Sequence, residues 1–304
     1  MTTTTDGKPI CVWSPEYEMD IGDHVFPTQK YRLIRESLLA SGTFPESSFI
    51  LPVPATLPQL QAVHTPEYLD DFLNLRRTDR TQFSELPLTA PIRDAFILAA
   101  GGSTVAARHA VTGHTAACHI GGGFHHSFAH QAEGFCYIND IAVAIRAMQS
   151  EQLITRAAVI DCDLHQGNGT AKIFLDDPDV FTFSIHQQNN YPEKEDSDLD
   201  VGLADYTDDL EYMAHLEDAL PAVFAHKPQL IIYAAGADPY QDDVLGRLKL
   251  TMHGLAERDH VIISQCKQHN IPLVTVTAGG YAHHTKDTVA IHTKTCETVK
   301  QHYA

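Results

Sequence analysis

The chain is short of positive charge: Lys and Arg total 21 against 39 Asp and Glu, a formal net charge of -18. A surface built to neutralise phosphates needs the opposite balance, which argues against nucleic acid as a direct ligand. A cationic partner such as a lysine-rich tail or a polyamine would be drawn to it, although an acidic surface also serves solubility. No stretch approaches the ~20 apolar residues of a membrane span, and the start, MTTTTDGKP, lacks the basic and apolar regions of a signal peptide. An intracellular, cytoplasmic protein is expected. None of the six cysteines (Cys11, Cys118, Cys136, Cys162, Cys266, Cys296) forms a CxxC pair, which suits buried thiols in a reducing compartment better than disulfides or a structural zinc site. Internal repeats, low-complexity segments and long linkers are also missing, so the 304 residues read as one domain, 1–304.

What the chain does have is a composition 43% hydrophobic, enough for a large core, and 19 histidines gathered near Gly-rich turns and strand ends. Short apolar runs rich in β-branched residues, at 157–160, 180–185, 230–234 and 273–276, predict buried parallel strands. Three- and four-residue apolar spacing predicts helices over 91–111, 138–149, 210–224 and 252–268. Strand and helix alternate. The expected fold is therefore α/β, a mostly parallel central sheet with helices on both faces, and its chemistry belongs at the carboxyl ends of the strands. The polar stretch 187–208, with seven acidic residues, is expected to be a long surface loop.

The run 157–160 leads into Asp161, Cys162, Asp163, Leu164 and His165. In an extended chain alternate side chains share a face, which sends Asp161, Asp163 and His165 one way and Cys162 and Leu164 into the core. Two carboxylates and an imidazole at a buried strand end repel or are desolvated at large cost unless a cation lies between them. For this segment alone, side chains capping the following helix are an equal alternative. A second strand ends in Ala234, Ala235, Gly236, Ala237 and Asp238; a lone Asp there is usually a turn or cap residue, but beside Asp163 and His165 it supplies a third ligand and leaves positions open for water and substrate. That is the pattern of catalytic Zn2+, and Fe2+ could occupy the same site. The segment GGGFHHS (121–127) offers His125 and His126 as a proton-transfer pair, and Tyr281 after Gly279 and Gly280 offers a hydroxyl for a developing oxyanion. Taken singly, adjacent histidines and a strand-end tyrosine are more often structural.

These residues resemble the zinc-dependent histone deacetylases of the arginase-deacetylase fold. The likeness is carried by AAGGSTVAARHA (99–110), GGGFHHS (121–127), EGFCYIND (133–140), VIDCDLHQGNG (159–169), FSIH (183–186), AAGAD (234–238), LGRLKLT (245–251) and AGGY (278–281), in that order. HQGNG and LGRLK look most like class IV, the branch that includes many bacterial deacetylase-like proteins. The resemblance implies Asp163, His165 and Asp238 as zinc ligands, His125 and His126 as the proton-transfer pair and Tyr281 as the electrophilic hydroxyl. It implies that Asp161 orients His125 and, with Ser184 and Ile185, binds a structural monovalent cation such as K+. Phe135 would form one wall of an acyl-lysine tunnel, the Gly134 carbonyl would accept the substrate amide N–H, and Tyr191 and Leu245 would complete the tunnel.

Two positions depart from classes I and II: Gln166 stands where a second His is common, and Asn168 where an Asp is. Asn168 beside His126 would support an imidazolium less than a carboxylate does. Class IV has these same residues. The N-terminal part, to about Pro91, matches less well. The implied activity is hydrolysis of an acyl group from a lysine side chain of a protein or peptide by metal-activated water. The competing readings are a deacetylase of small acylated amines such as acetylpolyamines, a long-chain deacylase, and a non-catalytic module that reads acylated partners. Sequence leaves the physiological substrate and the oligomeric state open.

Overall fold

The computed structural model describes residues 7–304. Residues 1–6, on which the reading of the chain's start and the beginning of the expected 1–304 domain partly rest, lie outside the described residues. Eight strands, β1 (Ile10–Val12), β2 (Phe49–Ile50), β3 (Ala116–His119), β4 (Ala157–Asp161), β5 (Val180–Gln187), β6 (Leu199–Leu203), β7 (Ile231–Ala234) and β8 (Leu273–Val276), form one sheet in the order β2-β1-β3-β8-β7-β4-β5-β6. Every neighbouring pair is parallel. The helices are α1 (Lys30–Ala40), α2 (Leu57–Gln61), α3 (Pro66–Leu73), α4 (Ala90–Gly113), α5 (Asp140–Ser150), α6 (Asn168–Phe174), α7 (Asp209–Ala225), α8 (Met252–Gln268) and α9 (Thr285–Tyr303). One layer is built on α4, which packs on β1, β3 and β8 and against α5; the other joins α1, α9, α8 and α7, with α9 reaching β3 and α7 reaching β5 and β6.

The central strands are apolar because both of their faces are covered. All residues of β3, β4, β7 and β8 are buried, and each fully buried Ile or Val, such as Ile160, Ile232 and Val274, stabilises the fold by roughly 1.5–3 kcal/mol. Register matters more for the chemistry. His119 pairs with Val276, Val276 with Ala234, and Ala234 with Asp161, so four strand ends form one row and their loops leave the sheet at one level. Local signals set the helix starts: Asn139 caps α5 by accepting from the Ala142 N–H, and Thr251 caps α8 by accepting from the Gly254 N–H.

The stretch 187–208 is not wholly a loop. It contains β6, which pairs with β5 from Phe183 opposite Leu199 to Gln187 opposite Leu203. An edge strand has one partner and an open side, so β6 keeps Asp200 exposed and needs no apolar run. All six cysteines are buried and free. Among the described residues, no helix is long and apolar enough to cross a membrane.

Candidate active site

The loops after β3, β4, β7 and β8 bring the expected residues to one place. Asp163, His165 and Asp238 are buried, and each offers one ligand atom within 4.8 Å of the others. The His165 Nδ1 lies 3.3 Å from both Asp163 Oδ1 and Asp238 Oδ2. Asp163 Oδ2 accepts from the Gly279 N–H (2.7 Å) and Asp238 Oδ1 from the Leu164 N–H (2.9 Å), which aims the two carboxylates. Asp238 Oδ2 is buried without a hydrogen bond. Gly279 lines the same point: a Cβ there would run into Asp238 Oδ2 and Asp163 Oδ2.

Electrostatics describe the same cluster as a site wanting positive charge. Burial and the Asp163 charge push Asp238 up to about 6. Burial opposes a proton on His165, yet Asp163 and Asp238 outweigh it and hold the imidazole up at about 10. An orphaned buried carboxylate oxygen and two carboxylates facing one imidazole nitrogen fit a divalent cation, and the mixed oxygen and nitrogen donors suit Zn2+ or Fe2+.

Asp161 stands apart from this cluster. Although it alternates with Asp163 and His165, its Oδ2 accepts from His125 Nδ1 at 2.6 Å and its Oδ1 from the Asp163 N–H. Burial opposes a charge on His125, but the neighbouring carboxylates of Asp161 and Asp163 prevail and raise it to about 9. His126 has the opposite setting. Its Nδ1 pairs with Asn168 Oδ1 at 2.8 Å, and burial together with the charges of His125 and His165 holds it well below the usual histidine value. The loop bearing both histidines is pinned by buried Asp140, which accepts from the N–H groups of Gly123 and Phe124 and from Ser103 Oγ.

His125, His126, Asp163, His165, Gly134, Phe135 and Tyr281 line one narrow cavity of about 20 Å³, room for about one water. Tyr281 stands edge-on to Phe135 (5.9 Å between centroids) and to Phe26 (6.2 Å), and burial pushes its hydroxyl pKa well up. Phe135 follows Gly134 in a turn where both have positive φ, 64° and 49°. Gly134 also approaches His126 closely, since a Cβ on it would lie 2.6 Å from the imidazole Cδ2. Tyr191 is 43% exposed and sits edge-on over His126 (5.5 Å) and His165 (6.2 Å), outside the narrow part. Leu245 does not line that part either; its backbone ties to Asp243 and Asn190. Gln166 turns away from the cavity and clasps Glu195 and Asp200, fastening the segment that carries Tyr191.

Several residues that hold the site carry no motif signal of their own. Asp243, buried and raised to about 7 by burial and by Asp238, accepts from the N–H groups of Tyr281 (2.7 Å) and Leu245 (2.9 Å). Arg258, fully buried, donates to the carbonyls of Cys162 and Gly236, in the loops that carry Asp163 and Asp238. Lys30, also fully buried, donates to the Ala278 carbonyl at 2.6 Å and is lowered to about 8 by burial, against the pull of Asp238, Asp163 and Asp243. Only the position of Asp243, a few residues past Asp238 and just before LGRLK, offered a sequence clue.

Comparison with known proteins gives the family and the fold. Residues 24–296 match the family model described as the histone deacetylase domain. The chain is 39% identical over 293 residues to an uncharacterized protein of Picosynechococcus sp., covering 94% of this chain and 96% of that one. It is 30% identical over 290 residues to histone deacetylase 2 of Arabidopsis thaliana, covering 90% of this chain and 75% of the relative. The solved structure of an HDAC homolog from Aquifex aeolicus superposes with a TM-score of 0.83 at 22% identity, over 96% of this chain and 84% of that one, a likeness of fold. With its eight-stranded parallel sheet and the match running through nearly all of its length, the chain belongs to the histone deacetylase family.

Proposed function

We propose that the chain hydrolyses the amide of an acylated lysine side chain in a protein or peptide, the acyl group being acetyl or longer, and that residues 1–304 form one catalytic domain most like class IV. The observation that carries this reading is the buried Asp163, His165 and Asp238 cluster, of which Asp163 and His165 line the same narrow cavity as His125, His126 and Tyr281. Those three residues would hold Zn2+, or Fe2+ in its place. When bound, the ion supplies Lewis acidity toward the amide carbonyl and the attacking water.

The protein's own groups divide the remaining work. His126, neutral and holding its Nδ1 proton against Asn168, keeps its Nε2 lone pair to take the water proton. His125, beside the Asp161 carboxylate, is the better holder of a positive charge and the better donor to the leaving amine. Tyr281 donates its hydroxyl proton to the oxygen on which charge develops. Phe135 packs against the substrate's methylenes, Tyr191 and Leu245 frame the entrance, and the Gly134 carbonyl, approached by the Cys136 thiol at 3.2 Å, accepts the amide N–H. A structural monovalent cation such as K+ would draw on oxygens of Asp161, Ser184 and Ile185; the Asp161 carboxylate and Ser184 Oγ also hydrogen-bond His125, the Asp163 N–H and His186, and no step of the reaction uses that cation.

A zinc-loaded preparation should turn over lysine peptides carrying acyl chains from acetyl to myristoyl with a clear preference along that series, and no turnover of any of them despite one bound zinc would contradict the lysine reading. Turnover of acetylpolyamines without turnover of any peptide would replace the lysine reading by the small-amine one.

A further inference from the structure

Asn168 occupies the place beside His126 where a carboxylate would act on the imidazole directly, and an amide there is ambiguous. Its oxygen can accept from Nδ1–H, or its nitrogen can donate to a bare Nδ1 and force the proton onto Nε2, the atom facing the cavity. Only the first arrangement leaves a base at the site. Something must therefore decide which way the amide points. Asn168 Nδ2 lies 2.8 Å from Glu133 Oε1. An ionised carboxylate only accepts, so the atom facing it must be the amide nitrogen, and the oxygen is left for His126 Nδ1 at 2.8 Å. The Gly169 N–H, 3.0 Å from the same oxygen, supports that orientation.

We propose that Glu133 is a positioning residue that acts on His126 through Asn168, fixing the imidazole as the Nδ1–H tautomer. Rigid local structure suits it to this role. Its N–H and carbonyl both pair with Cys136 across the turn that carries Gly134 and Phe135, and Gln131 holds its second carboxylate oxygen at 3.2 Å. The same short turn thus aims a tunnel wall and the far end of the relay. Glu133 is half-buried at the rim while Asn168 is buried, so the negative charge stays near water and its directional effect is passed inward by a neutral amide. Asp161 does for His125 in one contact what Glu133 and Asn168 do for His126 in two.

The proposal rests on the amidohydrolase reading, and two readouts keep them separate. Nitrogen NMR of the imidazole reports the His126 tautomer with no turnover required. The wild-type protein should show Nδ1–H, and Glu133→Leu should shift His126 toward Nε2–H or a mixture. An unchanged tautomer in Glu133→Leu overturns the proposal whatever the activity does. In turnover, Glu133→Leu should lower kcat roughly 10- to 100-fold with little change in KM, a loss of the size expected when a general base is disabled. Asn168→Asp placed in that variant should restore kcat to within about threefold, because a carboxylate needs no orienting partner. With Glu133 present, Asn168→Asp should be harmful, since it sets two carboxylates against each other. A kcat loss in Glu133→Leu that Asn168→Asp does not repair would contradict the relay, and so would full kcat. Glu133→Gln, which keeps size and one acceptor, serves where the leucine variant folds poorly; it should lie between wild type and Glu133→Leu in both readouts, and wild-type values in both would overturn the proposal.

Discussion

His125 and His126 are adjacent in sequence and share a cavity, yet their surroundings pull them apart. One ring hydrogen-bonds a buried carboxylate at 2.6 Å and is raised to about 9; the other hydrogen-bonds an amide at 2.8 Å and is held far below its usual value. In the proposed mechanism the difference is how a fold makes an acid and a base from the same side chain, by choosing the partner of the outer ring nitrogen. Both outer partners come from the β4 end and the start of α6, so one strand-to-helix segment sets both halves of the contrast.

Predictions follow from the contrast, largest effect first. Tyr281→Phe removes the hydroxyl that neither histidine can replace, and kcat should fall roughly 100- to 1000-fold while the zinc content stays unchanged; full turnover would remove the oxyanion role. Asp161→Asn gives His125 the same kind of partner as His126 and so erases the contrast. Steady-state kinetics should record a loss of about 100-fold in kcat, and an unaltered kcat would mean that the Asp161 charge is idle. Asp243→Asn leaves both histidines untouched but loosens the strap that bears Tyr281. A loss of about tenfold is expected, the size of one charge-assisted hydrogen bond, with KM affected through Leu245 as well.

The remaining prediction concerns stability and not turnover. His64 is buried as a neutral ring, its Nδ1–H donating to the Phe128 carbonyl and its Nε2 accepting from the Asn139 N–H, and burial lowers it to about 4. Between about pH 6.5 and pH 4 the unfolded chain takes up a proton at this ring and the folded chain does not, so stability falls as pH falls, by up to about 3 kcal/mol. Denaturant melts across that range should show the loss in the wild-type protein and a shallower slope in His64→Gln. Equal slopes would mean that His64 is not the acid-sensitive group.

Much of the architecture was legible because the central strands are buried on both faces and therefore read as apolar runs, each ending at a residue that carries chemistry. The helices over 90–113 and 252–268 were legible from their period. The edge strand β6 was not, because a strand with one open side can be polar. The positions of Asp163, His165, Asp238, His125 and His126, which the structure brings together, could be read from motif spacing. Strand alternation put Asp161 on the Asp163 face, from which the coordinates separate it, whereas the family resemblance had already implied its place beside His125. Asp243, Glu133, Arg258 and Lys30 escaped for one physical reason: each acts by a hydrogen bond to backbone or side chain in another loop, and such contacts leave no periodicity in the chain.

The most direct test of the account is to measure zinc stoichiometry and acetyl-lysine hydrolysis on the same preparations of wild type and Asp238→Ala. The account predicts one ion per chain with turnover in the wild-type protein, and loss of both in a folded variant. A folded Asp238→Ala protein that loses the ion and still hydrolyses the amide would contradict it.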